Sequence, residues 1–188
     1  MPKMLFVCSG NTCRSPMAAA LMKKALKDRG IEGWTVSSAG LMAASGIPIS
    51  ENAKRALLED HGLRVEDHLS KAVDLSMIAE HDYVIAMTLR HAQWLISRFG
   101  QYKYKIYFIG ELLSDEVKNA VIKYLSTKDP YSLENMRLYE EKIKPYEIED
   151  PYGSDLEVYK KVATQIWQFC CKIADIIKKE GHLPPKTW

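Results

Sequence analysis

An apolar run, Met4-Leu5-Phe6-Val7, gives way at Cys8 to the short polar stretch Ser9-Gly10-Asn11-Thr12-Cys13-Arg14-Ser15-Pro16, and an alanine-rich pattern follows from Met17. That order predicts a buried strand, a tight loop and a helix start, which leaves few folds open to the chain. A short loop curling into a helix N-terminus converges its backbone N–H groups on one point, and the helix dipole favours negative charge there. The natural occupant is a phosphate. Gly10 permits a tight turn, and Asn11 tolerates the left-handed region or braces the loop through its amide. Arg14 adds a planar fork that can hold two phosphate oxygens, which a lysine cannot match. The electropositive cup favours Cys8 as a thiolate, and the Ser15 hydroxyl is placed to hydrogen-bond it.

The rest of the composition narrows the setting. The chain has 188 residues with 47% hydrophobic content, enough for one well-buried domain spanning 1–188 and short for two. A net charge of +2 argues against a general nucleic-acid surface. No apolar run approaches the ~20 residues of a membrane span, and Met1–Val7 lacks the form of a signal peptide, so a cytoplasmic protein without membrane association is expected. Four cysteines here are not a disulfide framework. Nor do they form a metal site, since Cys170 and Cys171 are adjacent, far from Cys8 and Cys13, and have no histidine at ligand spacing. No metal or other cofactor is expected. Cys13 either packs behind the loop or captures oxidised Cys8 as a disulfide; both readings stand. Cys170 and Cys171 read as helix packing.

Along the chain, strands are expected at Lys3–Val7, Trp34–Ser38, Tyr83–Met87 and Tyr104–Ile109. Helices are expected at Pro16–Arg29, from Ser50 as cap to His61, at Leu89–Phe99, and from Asp155 to about Glu180. Strands separated by helices of this length imply an α/β fold: a doubly wound, four-stranded parallel sheet with helices on both faces. The ligand then sits at the carboxyl ends of the strands, where the Cys8 loop begins. Met42 and its neighbours in Leu41–Pro48 are candidates for a wall of the mouth. In the last helix Leu156, Tyr159, Ala163, Ile166, Cys170, Ile173 and Ile177 form one apolar face. A cysteine nucleophile needs a proton donor, and Asp150, held extended before Pro151, is the candidate. Asp129-Pro130-Tyr131 repeats the motif, but Ser132 behind it reads as a helix cap. His61, His81, His91 and His182 read as surface or helix-end residues.

The string Val-Cys-Ser-Gly-Asn-Thr-Cys-Arg-Ser-Pro-Met-Ala resembles the phosphate loop of low-molecular-weight protein phosphatases, and Glu149-Asp150-Pro151-Tyr152-Gly153 through Tyr159 resembles their acid loop. The resemblance implies a two-step phosphoryl transfer on phosphorylated proteins. Cys8 forms a phosphocysteine, Arg14 and the loop residues Ser9, Gly10, Asn11, Thr12, Cys13 and Ser15 bind the phosphate, Asp150 is the acid, and Tyr152 lines the entrance. It also implies loop support from Asn11, Ser38 and His68. The resemblance lapses over about 111–147, where two extra helical patterns, Glu111–Leu125 and Leu133–Ile143, form an insert; a lid or specificity role is expected from its adjacency to Asp150. Thr12, where tyrosine-directed members carry isoleucine, resembles the protein-arginine phosphatase branch, so phosphoarginine is the expected substrate. Tyrosine phosphatase is the alternative. Arsenate reductases with a similar loop need two further mid-chain cysteines, and residues 41–169 hold none. A mere phospho-binding module needs neither thiol nor acid. Nothing in the sequence indicates an oligomeric state.

Overall fold

The structure, a computed structural model, describes residues 1–186 and 188. Four parallel strands, β1 (Lys3–Cys8), β2 (Thr35–Gly40), β3 (Tyr83–Ala86) and β4 (Ile106–Phe108), form one sheet in the order β2-β1-β3-β4. Met4 stands in register with Val36 on one side and Tyr83 on the other, so β1 is central. Met4, Leu5, Phe6 and Val7 are all fully buried, which requires cover on both faces of the sheet. The chain reverses direction across the sheet after β2, and right-handed crossovers therefore send successive connections to opposite faces. This is the expected doubly wound arrangement, and it leaves the Cys8 loop at the carboxyl edge, beside the strand where the order reverses.

Among the described residues there are seven α-helices: α1 (Arg14–Asp28), α2 (Glu51–His61), α3 (Leu75–Glu80), α4 (Leu89–Arg98), α5 (Asp115–Ser126), α6 (Leu133–Leu138) and α7 (Leu156–Glu180). Helix α7 packs against α1 and α2, while α4 lies against β3 and β4. Tyr159, Ala163, Ile166, Cys170, Ile173 and Ile177 are buried along α7 as its periodicity predicts; Leu156, at the first turn, is half-buried. Asp155 caps this helix by accepting from Val158 N at 3.0 Å. Helix α2 stops where Gly62 takes φ 67°. Among the described residues no helix is long and apolar enough to cross a membrane.

Several elements differ from expectation. Helix α1 begins at Arg14, two residues early, so the arginine itself opens the first turn. Strand β4 is shorter because residues Gly100–Lys105 close a 3-10 turn. Lys105 is buried there, and its ammonium donates to Ala79 O at 3.1 Å and His81 O at 2.6 Å, satisfying carbonyls at the end of α3. Helix α3 itself was not expected; its six residues are too few for a visible period, and Asp74 starts it by accepting from Met77 N at 2.8 Å. Over 111–147 the chain forms α5, α6, a π-helical turn (Tyr139–Ile143) and a 3-10 turn (Lys144–Tyr146) that delivers the segment before Asp150.

Candidate active site

The loop between β1 and α1 is held from behind by Asn11. Its φ of 57° makes it the only non-glycine described residue in the left-handed region, a conformation asparagine tolerates because its short amide bonds locally. The amide nitrogen donates to Ser15 Oγ and Ser38 Oγ, both at 2.9 Å, and its oxygen accepts from Lys71 N at 3.0 Å. His68 Nε2 donates to the Asn11 carbonyl at 2.7 Å. Burial lowers the His68 pKa, which keeps the ring neutral. Asn11, Ser38 and His68 therefore meet in one hydrogen-bonded group behind the loop. Gly10 does not carry the positive φ; that turn falls on Asn11.

The end of β2 presses on the same loop. Leu41 N donates to Cys8 O at 2.9 Å and Met42 N to Ser9 O at 3.0 Å. A side chain at Gly40 would put its Cβ 2.6 Å from Ser9 O and 2.9 Å from Asn11 N, so only glycine fits.

In front of the loop lies a cavity of about 430 Å³ lined by Cys8, Ser9, Gly10, Thr12, Cys13, Arg14, Ala44, Ile47, Pro48, Ser50, Asp150 and Tyr152. Cys8 is 2% exposed at its floor, with Sγ 3.0 Å from Ser15 Oγ. Arg14 is buried, and its Nη2 donates to Ser9 Oγ at 3.1 Å and to Asp150 Oδ2 at 2.6 Å, while Nη1 donates to Ile148 O at 3.3 Å. Two groups 136 residues apart in sequence therefore meet at the cavity that Cys8 also lines. Asp150 also accepts from Tyr152 N at 3.3 Å, the turn that Asp-Pro predicts, and Tyr152 is exposed at the rim. The competing Asp129 makes the same local turn with Tyr131 N at 3.1 Å but does not line this cavity.

Glu147 anchors the segment that carries Asp150. Its carboxylate accepts from Leu89 N at the start of α4 and from the Tyr139 hydroxyl, both at 2.9 Å. Ile148 N donates to Met87 O at 3.0 Å and Gln165 Nε2 to Glu147 O at 3.1 Å.

Several side chains lie elsewhere than the sequence suggests. His91 is not a surface residue: it is 8% exposed, and its Nε2 lies 3.0 Å from Ser9 Oγ. His81 does end a helix, α3, as expected, but it is half-buried there, with one ring nitrogen 2.7 Å from Ser37 Oγ and the other 2.7 Å from Met77 O. Met42 is 78% exposed and does not line the cavity, whereas its neighbours Ala44, Ile47 and Pro48 do form that wall. Tyr159 belongs to the core face of α7, yet its hydroxyl reaches Cys13 Sγ at 3.2 Å, and Cys13 also donates to Ser50 Oγ at 3.5 Å. Burial pushes the Tyr159 phenol up to about 12, so it stays protonated. No group of three metal-capable side chains occurs among the described residues.

The family described as low molecular weight phosphotyrosine protein phosphatase matches residues 3–144. A protein-arginine-phosphatase of Bacillus subtilis (strain 168) is 28% identical over 94% of this chain and 97% of its own length. Among solved structures, a low molecular weight protein tyrosine phosphatase from T. tengcongensis is 31% identical with a TM-score of 0.72, covering 93% of this chain and 99% of its own. A YwlE arginine phosphatase mutant, in which serine replaces a cysteine and the active-site serine is phosphorylated, gives 28% identity and a TM-score of 0.73, covering 95% of this chain and 97% of its own.

Proposed function

The chain belongs to the low molecular weight phosphotyrosine protein phosphatase family, and from that premise we propose that it hydrolyses phosphoarginine in proteins through a phosphocysteine at Cys8. The contact that carries this reading is Arg14 Nη2 to Asp150 Oδ2 at 2.6 Å, in the lining of the same cavity as the Cys8 thiol. It brings nucleophile, anion clamp and acid within reach of one phosphoryl group. The Cys8 thiolate attacks phosphorus as the bond to the leaving nitrogen breaks, and Asp150, protonated, gives its proton to that nitrogen. Arg14 and the loop amides hold the equatorial oxygens. Binding of the anion therefore competes with the Arg14–Asp150 pair and frees Asp150 to carry the proton. In the second step Asp150 takes a proton from water as it attacks the phosphocysteine, releasing inorganic phosphate. Ser15 has one hydroxyl proton for two acceptors, Cys8 Sγ at 3.0 Å and Ala39 O at 3.2 Å. It donates to sulfur when Cys8 is the thiolate.

Phosphoarginine is favoured over phosphotyrosine by Thr12, a small hydroxyl-bearing residue at the cavity where an isoleucine would give an apolar wall. A planar, donor-rich phosphoguanidinium can pair with a hydroxyl and with the acceptor oxygen of the Asp150 carboxyl. Tyr139 bonds Glu147, so the 111–147 segment acts on the acid loop as a brace, within a single phosphatase domain of 1–188. Four unpaired thiols suit a reducing, cytoplasmic setting. Cys13 shares the cavity with Cys8 and would capture a Cys8 sulfenic acid as a disulfide with loss of water, detectable by mass after peroxide.

The test is kcat/KM on matched peptides bearing phosphoarginine or phosphotyrosine, with Cys8→Ser as the blank. Preference for phosphoarginine, reduced in Thr12→Ile, is expected; preference for phosphotyrosine would leave the mechanism and overturn the substrate.

A further inference from the structure

His91 sits in the first turn of α4, where its own N–H donates to the Thr88 side chain at 3.1 Å, and the ring is buried against the phosphate loop. Its Nε2 lies 3.0 Å from Ser9 Oγ, while Nδ1 is buried without a partner among the described residues. The two neutral tautomers differ in consequence. With the proton on Nδ1, a buried N–H is orphaned and Ser9 commits its only proton to the ring. With the proton on Nε2, the ring donates to Ser9, and the orphan is merely an unused lone pair. The second costs less. Ser9 Oγ then accepts twice, from His91 and from Arg14 Nη2 at 3.1 Å. Its own proton is left for the cavity that Ser9 lines beside Cys8 and Arg14.

We propose that His91 is a positioning residue that, with its proton on Nε2, fixes the Ser9 hydroxyl as an additional donor to the bound phosphoryl group and steadies Arg14. The inference rests on the proposed role of the loop as a phosphate cradle. A doubly protonated ring is disfavoured, since burial and then the nearby Arg14 and Arg90 charges hold its pKa down to about 4.

The experiment uses the full chain, p-nitrophenyl phosphate turnover and inhibition by vanadate as a phosphoryl mimic. Ser9→Ala and His91→Phe are each expected to weaken vanadate inhibition and lower kcat by about tenfold, the scale of one side-chain donor to a developing charge. The double variant should be no worse than either single, because both remove one device. His91→Gln, which can still present an N–H near the Nε2 position, should restore most of the activity; a ring needed only for packing would not be rescued this way. Native-like vanadate inhibition and kcat in Ser9→Ala, or multiplying losses in the double variant, would overturn the inference even if His91→Phe misfolds. If the native protein neither turns over the ester nor binds vanadate, the cradle reading itself fails, an outcome distinct from failure of the His91 device alone.

Discussion

Asn11 and Asp150 serve the same cavity from its two sides, and they are held in different ways. Asn11 is fully buried and meets Ser15, Ser38, Lys71 and His68 through four hydrogen bonds. The Asp150 side chain is 49% exposed and meets Arg14 and one backbone N–H. The loop after β1 is thus over-determined, its left-handed residue tied through side chain and carbonyl alike, which suits the proposed role of presenting fixed dipoles to a charged transition state. The Asp150 side is anchored one step back, at Glu147, and its carboxyl faces solvent, which suits the proposed exchange of protons with water. Damage to the first side should appear as lost folding stability together with lost rate. Damage to the second should appear as lost rate alone.

Asp150→Asn should show the largest effect: kcat down by about 10²–10⁴, the usual worth of a general acid, with a denaturation midpoint close to native because the site is half exposed. A comparable loss of stability would erase the contrast between the two sides. Next comes Asn11→Ala, which removes three buried side-chain bonds and places alanine at positive φ; a loss of about 3 kcal/mol in urea unfolding is expected, with activity falling alongside. If Asn11→Ala unfolded like the native protein, the loop would owe its shape to the strand edges alone.

A third probe is acid. His91 titrates near 4 in the folded chain, chiefly through burial, against about 6.5 when unfolded. Between those values the unfolded chain binds the extra proton, so this share of stability is complete above pH 6.5 and is lost as pH falls toward 4. The loss should reach about 2–3 kcal/mol and flatten in His91→Gln. His61 and His68, also lowered by burial, act in the same direction. The smallest effect is expected on the acid side: Tyr139→Phe removes the hydroxyl at 2.9 Å from Glu147 and should reduce kcat only a few-fold, roughly 0.5–1.5 kcal/mol, with little change in unfolding.

The strand–loop–helix unit was legible because a continuous apolar run, a thiol and a guanidinium in one short stretch leave few alternatives. The sheet followed from alternation of strands and helices. Less visible were the features decided by partners distant in sequence. His91 looks like any polar residue near a helix start, and only Ser9, 82 residues earlier, makes it interior. Tyr159 satisfies the apolar period of α7, which conceals that its hydroxyl reaches Cys13. Met42 was misplaced because the direction of a side chain in irregular backbone depends on tertiary braces such as the bond from Ser70 N to Ile47 O at 2.8 Å. Asp150 and Asp129 make the same local turn, so only the residues downstream of each Asp-Pro-Tyr tell them apart.

Gly40 sets a limit on how this pocket can be re-engineered. Because backbone oxygen and nitrogen of the loop lie under 3 Å from where its Cβ would be, no rotamer change can relieve a substitution. Libraries that vary Thr12, Ile47 or Tyr152 can therefore search for new phosphorylated substrates on an unchanged chassis. A transplant of residues 8–15 into another scaffold, by contrast, would have to carry the last residues of β2 with it. The smallest transferable piece of this chemistry spans two strands, not one loop.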